Sequence, residues 1–375
     1  MIAEKLAILK KQHRIRERPV VAARKHNVIQ THMHDTIDFS SSDYLGICQH
    51  PKVKNAYKNA IDQYGFGSLA SPVISGYYKC HQALEEKICD ITQQEKTLLF
   101  NAGFLANLAA LSCLLDKAHL VVADKFCHTS LLQGIQLSNA KLKRYLHNDM
   151  QSLESILQKH NATYVVTESV FSMDGDIAQL EIIQQLSQKY QANFIIDDAH
   201  GFGWLQQQIK TTMPVFQAAS AITLSLSKTI ATSGGAIAGK EDIIEYILQM
   251  SRVYQYSTGL SPVIAEGALA TLEILEQELW RQQKLQENIV YFNEQAKLRN
   301  FKLLSDDITP IRALLIVDNA KAMSIYHHVI KQGFLIACIR PPSVPKNTAR
   351  LRITLNSNHE LKEIEKLLDI IYGCL

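Results

Sequence analysis

The sequence lacks a strong excess of either charge, since 39 lysines and arginines stand against 36 aspartates and glutamates in 375 residues. A formal net charge of +3 gives no strong signal for a nucleic-acid partner or for an acidic partner. Apolar runs of 18 residues are also missing, so we expect no membrane span. With 47% hydrophobic and 20% charged residues, the composition is that of an ordinary globular protein.

The sequence also lacks paired cysteines. Seven cysteines are scattered along the chain without a C-x-x-C pair, and an odd, unpatterned number indicates a reducing cytoplasm rather than a disulfide framework. The N-terminal stretch M-I-A-E-K-L-A-I-L-K-K carries charges throughout, so we predict no signal peptide and a cytoplasmic location. We also predict that the protein holds no metal.

What the sequence does contain is an alternation of strands and helices between about residue 96 and residue 240. Short apolar runs typical of buried strands are separated by amphipathic stretches such as Leu180–Tyr190. This spacing predicts right-handed crossovers and a mainly parallel sheet in an α/β fold. The predicted strands are Lys96–Phe100, His119–Val122, Lys143–Tyr145, Tyr164–Ser169, Asn193–Asp197, Ile222–Leu226 and Ala236–Gly239.

The rest of the chain predicts an arm and a second, smaller domain. We expect an N-terminal helix and arm over residues 1–37, a large domain over 38–275, and a small C-terminal α/β domain over 276–375. The small domain combines predicted helices at Ala320–Gln332 and Glu360–Ile371 with predicted strands at Ile311–Val317, Leu335–Ile339 and Arg350–Leu355.

Polar side chains follow several predicted strands at the point where each strand ends. Ligands of open parallel sheets bind outside the carboxyl ends of the strands. We therefore expect a site built from the side chains that come soon after four of these strands, namely His128, Ser172, Asp197 with His200, and Lys228.

Lys228 follows a buried strand in the stretch S-L-S-K-T-I-A-T-S-G-G. Burial lowers the pKa of a lysine and leaves a nucleophilic amine, which suits a Schiff base with a carbonyl cofactor. The neighbouring hydroxyls are short donors of the kind that hold a phosphate. Taken alone, Lys228 is better explained as a surface lysine at a strand end, so the rest of the chain must decide.

Pyridoxal phosphate is a cofactor that uses all of these groups. Its site needs a lysine, a carboxylate that keeps the pyridine nitrogen protonated, a phosphate cradle and a group stacked on the ring. Lys228, Asp197 and His128 can fill three of these roles. The helix that begins at Gly103 can supply the cradle, because a helix N-terminus presents free N–H groups and a positive dipole end.

Other chemistries use the same stretches. Ser225-Leu226-Ser227-Lys228 is a literal S-x-x-K of serine hydrolases, but the companion motifs S-D-N and K-T-G are absent. Cys127 beside His128 could indicate a thiol nucleophile, yet adjacent residues point apart. A non-catalytic partner subunit would be expected to have lost the lysine, and Lys228 is present.

Together the motifs resemble those of the α-oxoamine synthases, pyridoxal-phosphate acyltransferases with the aspartate-aminotransferase fold (fold type I). The resemblance extends from about Asp38 to the C-terminus. It rests on D-Y-L-G (43–46), H-Q-A-L-E-E (81–86), N-A-G-F-L-A-N (101–107), A-D-K-F-C-H-T-S-L-L (123–132), V-V-T-E-S-V-F-S-M-D-G-D (165–176), I-I-D-D-A-H-G (195–201) and I-R-P-P-S-V-P-K-N-T-A-R-L-R-I-T-L (339–355).

The resemblance implies a role for each matching residue. The implied catalytic residues are the Schiff-base lysine Lys228, the pyridine-nitrogen aspartate Asp197, His200 near the phenolic oxygen and the ring-stacking His128. The implied cofactor contacts add Gly103, Phe104, Ser172, Ser225 and, from the neighbouring subunit of a homodimer, Thr258. The implied substrate contacts are His128, Ser343, Arg352 for the amino-acid carboxylate, and an N-terminal arginine, Arg16, with Arg14 and Arg18 as alternatives.

The last motif, with its double proline, resembles the branch of the family that serves biotin synthesis more than the branches that make aminolevulinate or 2-amino-3-oxobutyrate. That resemblance implies a decarboxylating condensation of L-alanine with a pimeloyl thioester, carried by an acyl-carrier protein or by coenzyme A. A related reaction, such as acetyl transfer to glycine or the use of another acyl thioester, is the open alternative.

Three stretches depart from the family pattern. Ser42 stands where the family has asparagine, residues 69–72 (L-A-S-P) replace a glycine-rich segment, and the lysine loop reads S-K-T-I-A instead of G-K-G-x-G. We expect these changes to put bulk where the family has the conformational freedom of glycine, and to alter the loop geometry and with it the rate or the acyl preference.

Overall fold

A computed structural model gives the structure of the chain and describes residues 2–12, 14–16, 18–31, 35–205 and 212–375. Its helices are α1 (Ile2–Lys11), α2 (Pro51–Tyr64), α3 (Lys79–Thr92), α4 (Gly103–Leu114), α5 (Thr129–Ser138), α6 (Met150–Lys159), α7 (Leu180–Lys189), α8 (Thr212–Ala218), α9 (Glu241–Met250), α10 (Arg252–Gln255), α11 (Pro262–Gln277), α12 (Trp280–Leu298), α13 (Asn319–Lys331) and α14 (Leu361–Tyr372).

The strands are short and lie throughout the chain. They are β1 (Ala23–Lys25), β2 (Val28–Gln30), β3 (Asp35–Asp38), β4 (Lys96–Phe100), β5 (Leu120–Asp124), β6 (Lys141–Tyr145), β7 (Tyr164–Glu168), β8 (Asn193–Asp197), β9 (Ala221–Ser225), β10 (Gly235–Gly239), β11 (Ile311–Val317), β12 (Phe334–Leu335), β13 (Ala337–Ile339) and β14 (Ala349–Thr354).

The chain divides into two compact units. The first comprises Met1–Gln49, Ser172–Asp176 and Leu279–Leu375, and the second comprises His50–Phe171 and Ile177–Glu278. The division into residues 1–37, 38–275 and 276–375 stays a prediction.

The second unit is built on a seven-stranded sheet in the order β4-β10-β9-β8-β7-β5-β6. Strands β9, β8, β7, β5 and β6 run parallel, and β10 runs antiparallel to both of its neighbours. The central strands are buried along nearly their whole length, as N-F-I-I-D in β8 and A-I-T-L-S in β9 show. Such continuous apolar runs belong to strands covered by helices on both faces, so the predicted mainly parallel α/β sheet is confirmed.

Parallel strands bring their carboxyl ends to one edge of the sheet. Asp124, Glu168, Asp197 and Ser225 are the last residues of β5, β7, β8 and β9, and all four are buried. The backbone at the ends of these strands therefore places polar side chains side by side, next to the first turns of the helices that follow.

The first unit has two smaller sheets. Strands β11, β14 and β13 form an antiparallel sheet in that order, and β1, β2, β3 and β12 form the other. The prediction of one continuous strand over Leu335–Ile339 was wrong. Its residues divide at the buried Ile336, because β12 pairs with β3 in one sheet while β13 pairs with β14 in the other.

Of the helices in the described ranges, none combines the length and the apolar character that crossing a membrane requires.

Candidate active site

Asp197 and Asp198 follow each other at the end of β8 but have separate partners. Asp197 Oδ2 accepts a hydrogen bond from Asn107 Nδ2 at 2.6 Å, and Oδ1 accepts one from the backbone N–H of Ala199 at 3.0 Å. Asp198 Oδ1 instead accepts from Ser169 Oγ at 2.5 Å. Both carboxylates are buried, and that of Asp197 is bonded to helix α4 through Asn107.

Asp197, His128 and Lys228 are close enough to influence one another's charge. Burial raises the pKa of Asp197, and the bond from Asn107 and the charges of His128 and Lys228 oppose that rise. Burial lowers the pKa of His128, Asp197 raises it, and Lys228 lowers it further. The structure therefore brings together three of the residues that the sequence predicted for the site. A cation placed beside Asp197 would stabilise its ionised form.

The loop that carries Lys228 is tight and polar. The hydroxyls of Ser225 and Ser227 lie 2.9 Å apart, and the carbonyl of Lys228 accepts from the N–H of Ala231 at 2.9 Å. Ala231 has a φ of 56°, the left-handed conformation that glycine favours. The chain thus keeps a glycine-like backbone at a position where the family it resembles has glycine.

The start of α4 lies against the end of β9. A Cβ added to Gly103 would lie 3.2 Å from Ser225 Cβ, and one added to Gly235 would lie 2.5 Å from the nitrogen of Gly103. Lack of side chains at these two glycines is what permits this close approach. The first N–H groups of α4 have no partner within the helix, so the hydroxyl of Ser225 and the N–H groups of Gly103 and Phe104 can bind one anion together.

Three other predicted residues occupy distinct places in the second unit. Phe104 meets the ring of His128 edge to face, with centroids 6.2 Å apart. His200 is buried, and its carbonyl accepts from Trp204 Nε1 at 2.6 Å. Thr258 is exposed, and its carbonyl accepts from Asn101 Nδ2 at 2.6 Å.

Ser172 belongs to the first unit. It is buried at the start of the short segment Ser172–Asp176. An ion pair between Asp174 and Arg350 holds this segment, and Thr309 Oγ1 donates to the carbonyl of Gly175 at 2.5 Å. Ser172 is therefore positioned by contacts made elsewhere in its segment.

Arg352, on β14, has buried donors that no group in the described part of the chain satisfies. Burial lowers the pKa of Arg352, while a hydrogen bond and charge interaction with Tyr44 raise it. Its Nε and Nη2 atoms are buried without a hydrogen-bond partner. A carboxylate binds an arginine through two such nitrogens, so the geometry of Arg352 fits a bidentate carboxylate ligand.

Arg16 and Ser343, both implied acyl-substrate contacts, lie together. Arg16 Nη2 donates to Ser343 Oγ at 2.9 Å. Both residues line a cavity of about 50 Å³ with Arg14 and Arg340. Among the three N-terminal arginines that the sequence left open, Arg16 is the one that donates to Ser343.

Some polar residues of the site had no assigned role in the sequence. Asn107 and Tyr44 lie inside the motifs N-A-G-F-L-A-N and D-Y-L-G, while Ser130 and Thr223 contact Asn107. A lone asparagine in the apolar helix G-F-L-A-N-L-A-A-L was the available signal for Asn107. A buried amide in such a helix needs polar partners from other elements.

The second unit thus offers groups that fit pyridoxal phosphate. Lys228 supplies an amine, Asp197 a buried carboxylate for a ring cation, and His128 a flat ring. The glycine-lined start of α4 supplies an anion cradle in which added Cβ atoms would crowd the backbone.

The chain is similar to known proteins over nearly its whole length. The family model "Aminotransferase class I and II" matches residues 34–371. The chain is 38% identical over 367 residues to the 8-amino-7-oxononanoate synthase of Hydrogenovibrio crunogenus, covering 96% of this chain and 92% of that protein. It is 35% identical over 378 residues to the protein of that name from Pseudomonas fluorescens, covering 100% and 96%.

Solved structures agree with the fold. The chain matches the 8-amino-7-oxononanoate synthase of Francisella tularensis with a TM-score of 0.80 and 32% identity, covering 90% of this chain and 97% of that one. It matches the serine palmitoyltransferase of Sphingomonas wittichii with a TM-score of 0.91 and 25% identity, covering 100% and 96%. The predicted aspartate-aminotransferase-like fold is thereby confirmed.

Proposed function

Because the chain belongs to the aminotransferase class I and II family, we propose that it condenses L-alanine with a pimeloyl thioester to give 8-amino-7-oxononanoate, a step of biotin synthesis. The reaction releases carbon dioxide and the carrier thiol. One observation carries the proposal, namely 38% identity across 96% of the chain to a protein with that name.

Pyridoxal phosphate, when bound, supplies an aldehyde that captures the amino group and a ring that withdraws electrons from the α-carbon. The residues around the cofactor have separate roles. The carboxylate of Asp197 keeps the ring nitrogen protonated, and His128 covers the ring. The N–H groups of Gly103 and Phe104, with the hydroxyl of Ser225, hold the phosphate, and His200 and Ser172 complete the contacts.

Lys228 is the base of the reaction. Its amine would hold the cofactor at rest and, once displaced by the amino group of alanine, would be free to remove the α-proton and to return a proton to the product carbon after carbon dioxide has left. Lys228 is half-buried beside Asp197 and His128.

Arg352 binds the carboxylate of alanine. Its two buried, unpaired nitrogens match the two oxygens of one carboxylate, and leaving them unpaired is costly. Arg16 and Ser343 then contact the acyl substrate, and the hydrogen bond between them supports a shared role.

The experiment is an assay of the purified full-length protein with L-alanine and either pimeloyl carrier protein or pimeloyl coenzyme A, with product identified by mass. We expect 8-amino-7-oxononanoate from at least one donor, and none from the Lys228→Ala variant although it still binds cofactor. Glycine with acetyl coenzyme A tests the alternative reaction. If alanine gave no product with either pimeloyl donor, the proposal would fail.

We further propose a homodimer to which Thr258 of one subunit contributes a phosphate contact in the other. Large apolar side chains are exposed near Thr258 in two loops. The loops adjoin one another, because the N–H of Gly259 in one donates to the carbonyl of Ala70 in the other at 2.9 Å. Clustered exposure of this kind is typical of an interface. The exposed residues are Phe66 (79%), Leu69 (88%), Ile74 (79%) and Tyr256 (81%).

Sedimentation of the purified protein tests the dimer. A fully active monomer would contradict it. The cytoplasm stays the predicted location of this dimer.

A further inference from the structure

We infer that Asn107 is a positioning residue that fixes the Asp197 carboxylate and, through Ser130, holds His128 with its proton on Nε2. The inference rests on the proposed function, because Asp197 and His128 are its implied cofactor contacts. Asn107 is not one of the implied cofactor contacts and acts only through Asp197 and His128.

The side chain of Asn107 is the centre of a buried hydrogen-bond network. It is 3% exposed in helix α4. Its Nδ2 donates to Asp197 Oδ2 at 2.6 Å and to Ser130 Oγ at 2.9 Å. Its Oδ1 accepts from Thr223 Oγ1, on β9, at 2.5 Å. Helix α4, helix α5, β8 and β9 therefore meet at one amide.

The orientation of this amide follows from its partners. Both protons of Nδ2 are used, one for Asp197 and one for Ser130, and Oδ1 receives the hydroxyl of Thr223. The reverse orientation would set the amide oxygen against the carboxylate of Asp197, where two acceptors face each other without a proton. Asn107 is thus a neutral donor toward Asp197.

The second branch of the network determines the tautomer of His128. The backbone N–H of Ser130 lies 3.3 Å from His128 Nδ1, and a backbone N–H can only donate. Nδ1 therefore carries the lone pair and Nε2 carries the proton in the neutral ring. The hydroxyl of Ser130 donates to the same Nδ1 at 2.7 Å, and its oxygen is the atom that accepts from Asn107.

The two branches have a common consequence. A neutral amide stabilises the ionised carboxylate of Asp197 without adding a second titratable group beside it. The same amide orients the Ser130 hydroxyl, which leaves His128 an N–H donor at Nε2. One side chain thereby positions both the group that the proposed function places at the ring nitrogen and the group that it places over the ring.

Two variants separate the branches. Asn107→Leu removes every bond of the amide at similar volume, whereas Ser130→Ala keeps the bond to Asp197 and removes only the hydroxyl that reaches His128. Asn288→Leu is the matched control, because Asn288 is also a buried helical asparagine with two donated bonds, to the carbonyls of Asn356 and His359.

The first readout is the ¹⁵N spectrum of the full-length protein labelled at histidine, recorded before pyridoxal phosphate is added. The signals of His128 are assigned from their absence in His128→Gln. We expect the Nδ1 signal of His128 to shift in Asn107→Leu and in Ser130→Ala, and to stay unchanged in Asn288→Leu. This measurement needs no turnover, so it is independent of the proposed reaction.

The second readout is the dissociation constant of pyridoxal phosphate. We expect a rise of about 10- to 100-fold in Asn107→Leu, the change expected from losing a hydrogen bond to a charged group, and a smaller rise in Ser130→Ala. Should Asn107→Leu fail to fold, Asn107→Asp preserves the shape. It sets a second carboxyl against Asp197 and should weaken cofactor binding at least as much.

A His128 signal like that of the wild type in both Asn107→Leu and Ser130→Ala would overturn the inference. An equal loss of cofactor affinity in Asn288→Leu would overturn it as well, since the effect would then be general destabilisation. Failure of the proposed reaction with a shifted His128 signal would instead leave the positioning role intact and remove only the substrate assignment.

Discussion

The polar groups around Asp197 and those around Arg352 differ in how far the chain itself satisfies them. Asp197 accepts from Asn107 and from the N–H of Ala199, whereas Arg352 keeps Nε and Nη2 buried without a partner among the residues that the structure describes. A buried donor left unpaired costs about 1–3 kcal/mol, and more when it is charged. The chain itself thus supplies hydrogen-bond partners to the first group, while the second keeps donors for which we expect a ligand.

Strand β14 contains a second arginine with which Arg352 can be compared. Arg350 and Arg352 are two residues apart and so lie on the same face of the strand. Arg350 is buried in an ion pair with Asp174, and burial lowers the pKa of Arg350 to about 10. One arginine of the strand is thus paired with a carboxylate of the chain, and within the described ranges Arg352 has no such pair.

The largest expected effect comes from removing the charge of Asp197. Asp197→Asn preserves the shape but leaves the ring cation of the cofactor without its partner, and breaking such a buried pair costs about 3–5 kcal/mol. We expect turnover to fall by about two to four orders of magnitude and pyridoxal phosphate to bind more weakly. Steady-state kinetics and a cofactor titration measure both.

Asp198→Asn is the matched control for this prediction. Asp198 is equally buried but accepts from Ser169, away from Asn107. We expect it to lower thermal stability and to leave turnover within about tenfold of the wild type, since surrounding packing is preserved. A larger loss of turnover in Asp198→Asn would show that the register assigned to Asp197 and His200 is off by one.

A smaller effect is expected from Arg352. Lysine keeps the charge but cannot reproduce the two-pronged bond, so Arg352→Lys should raise the KM for alanine about 10- to 100-fold. Thermal stability should change little, because lysine keeps a charged donor that can serve Tyr44, and Nε and Nη2 have no partner among the described residues. Arg350→Met should do the reverse, lowering the melting temperature by leaving Asp174 buried and unpaired, with the KM unchanged. Equal effects of the two variants on KM would contradict the comparison.

The parts of the fold that the sequence predicted are those determined by local pattern. Strand β8 was predicted at both of its ends, and β4 and β11 likewise, because short apolar runs with a polar residue at the end or just after it are easily recognised. The short strands β1, β2 and β3 were not predicted. They hold three or four residues each, too few for an alternating pattern to stand out.

The parts of the site that the sequence could not predict depend on contacts between distant residues. Asn107 and Asp197 are 90 positions apart, and no spacing within a motif reveals which amide will meet which carboxylate. The unpaired nitrogens of Arg352 are likewise a property of packing. Similarity to known motifs could assign Asp197 and Arg352 a role, but only coordinates show which of them is already satisfied.

The smallest expected effect concerns the backbone next to Lys228, a residue that belongs with Asp197 in the comparison above. Ala231 has a φ of 56°, a conformation that costs a residue with a Cβ roughly 1–2 kcal/mol, whereas glycine in general lowers stability by about 0.5–1 kcal/mol through the unfolded chain. The cost of the left-handed conformation is the larger of the two, so we expect Ala231→Gly to raise the free energy of unfolding slightly, by about 0.5 kcal/mol.

The control is Ala118→Gly, in an exposed turn of ordinary φ, which should lower the free energy of unfolding by about 0.5 kcal/mol. Thermal melts of both variants measure the difference. A loss of stability in Ala231→Gly equal to that in Ala118→Gly would mean that the lysine loop carries no strain, and that the surrounding strands accept alanine there without cost.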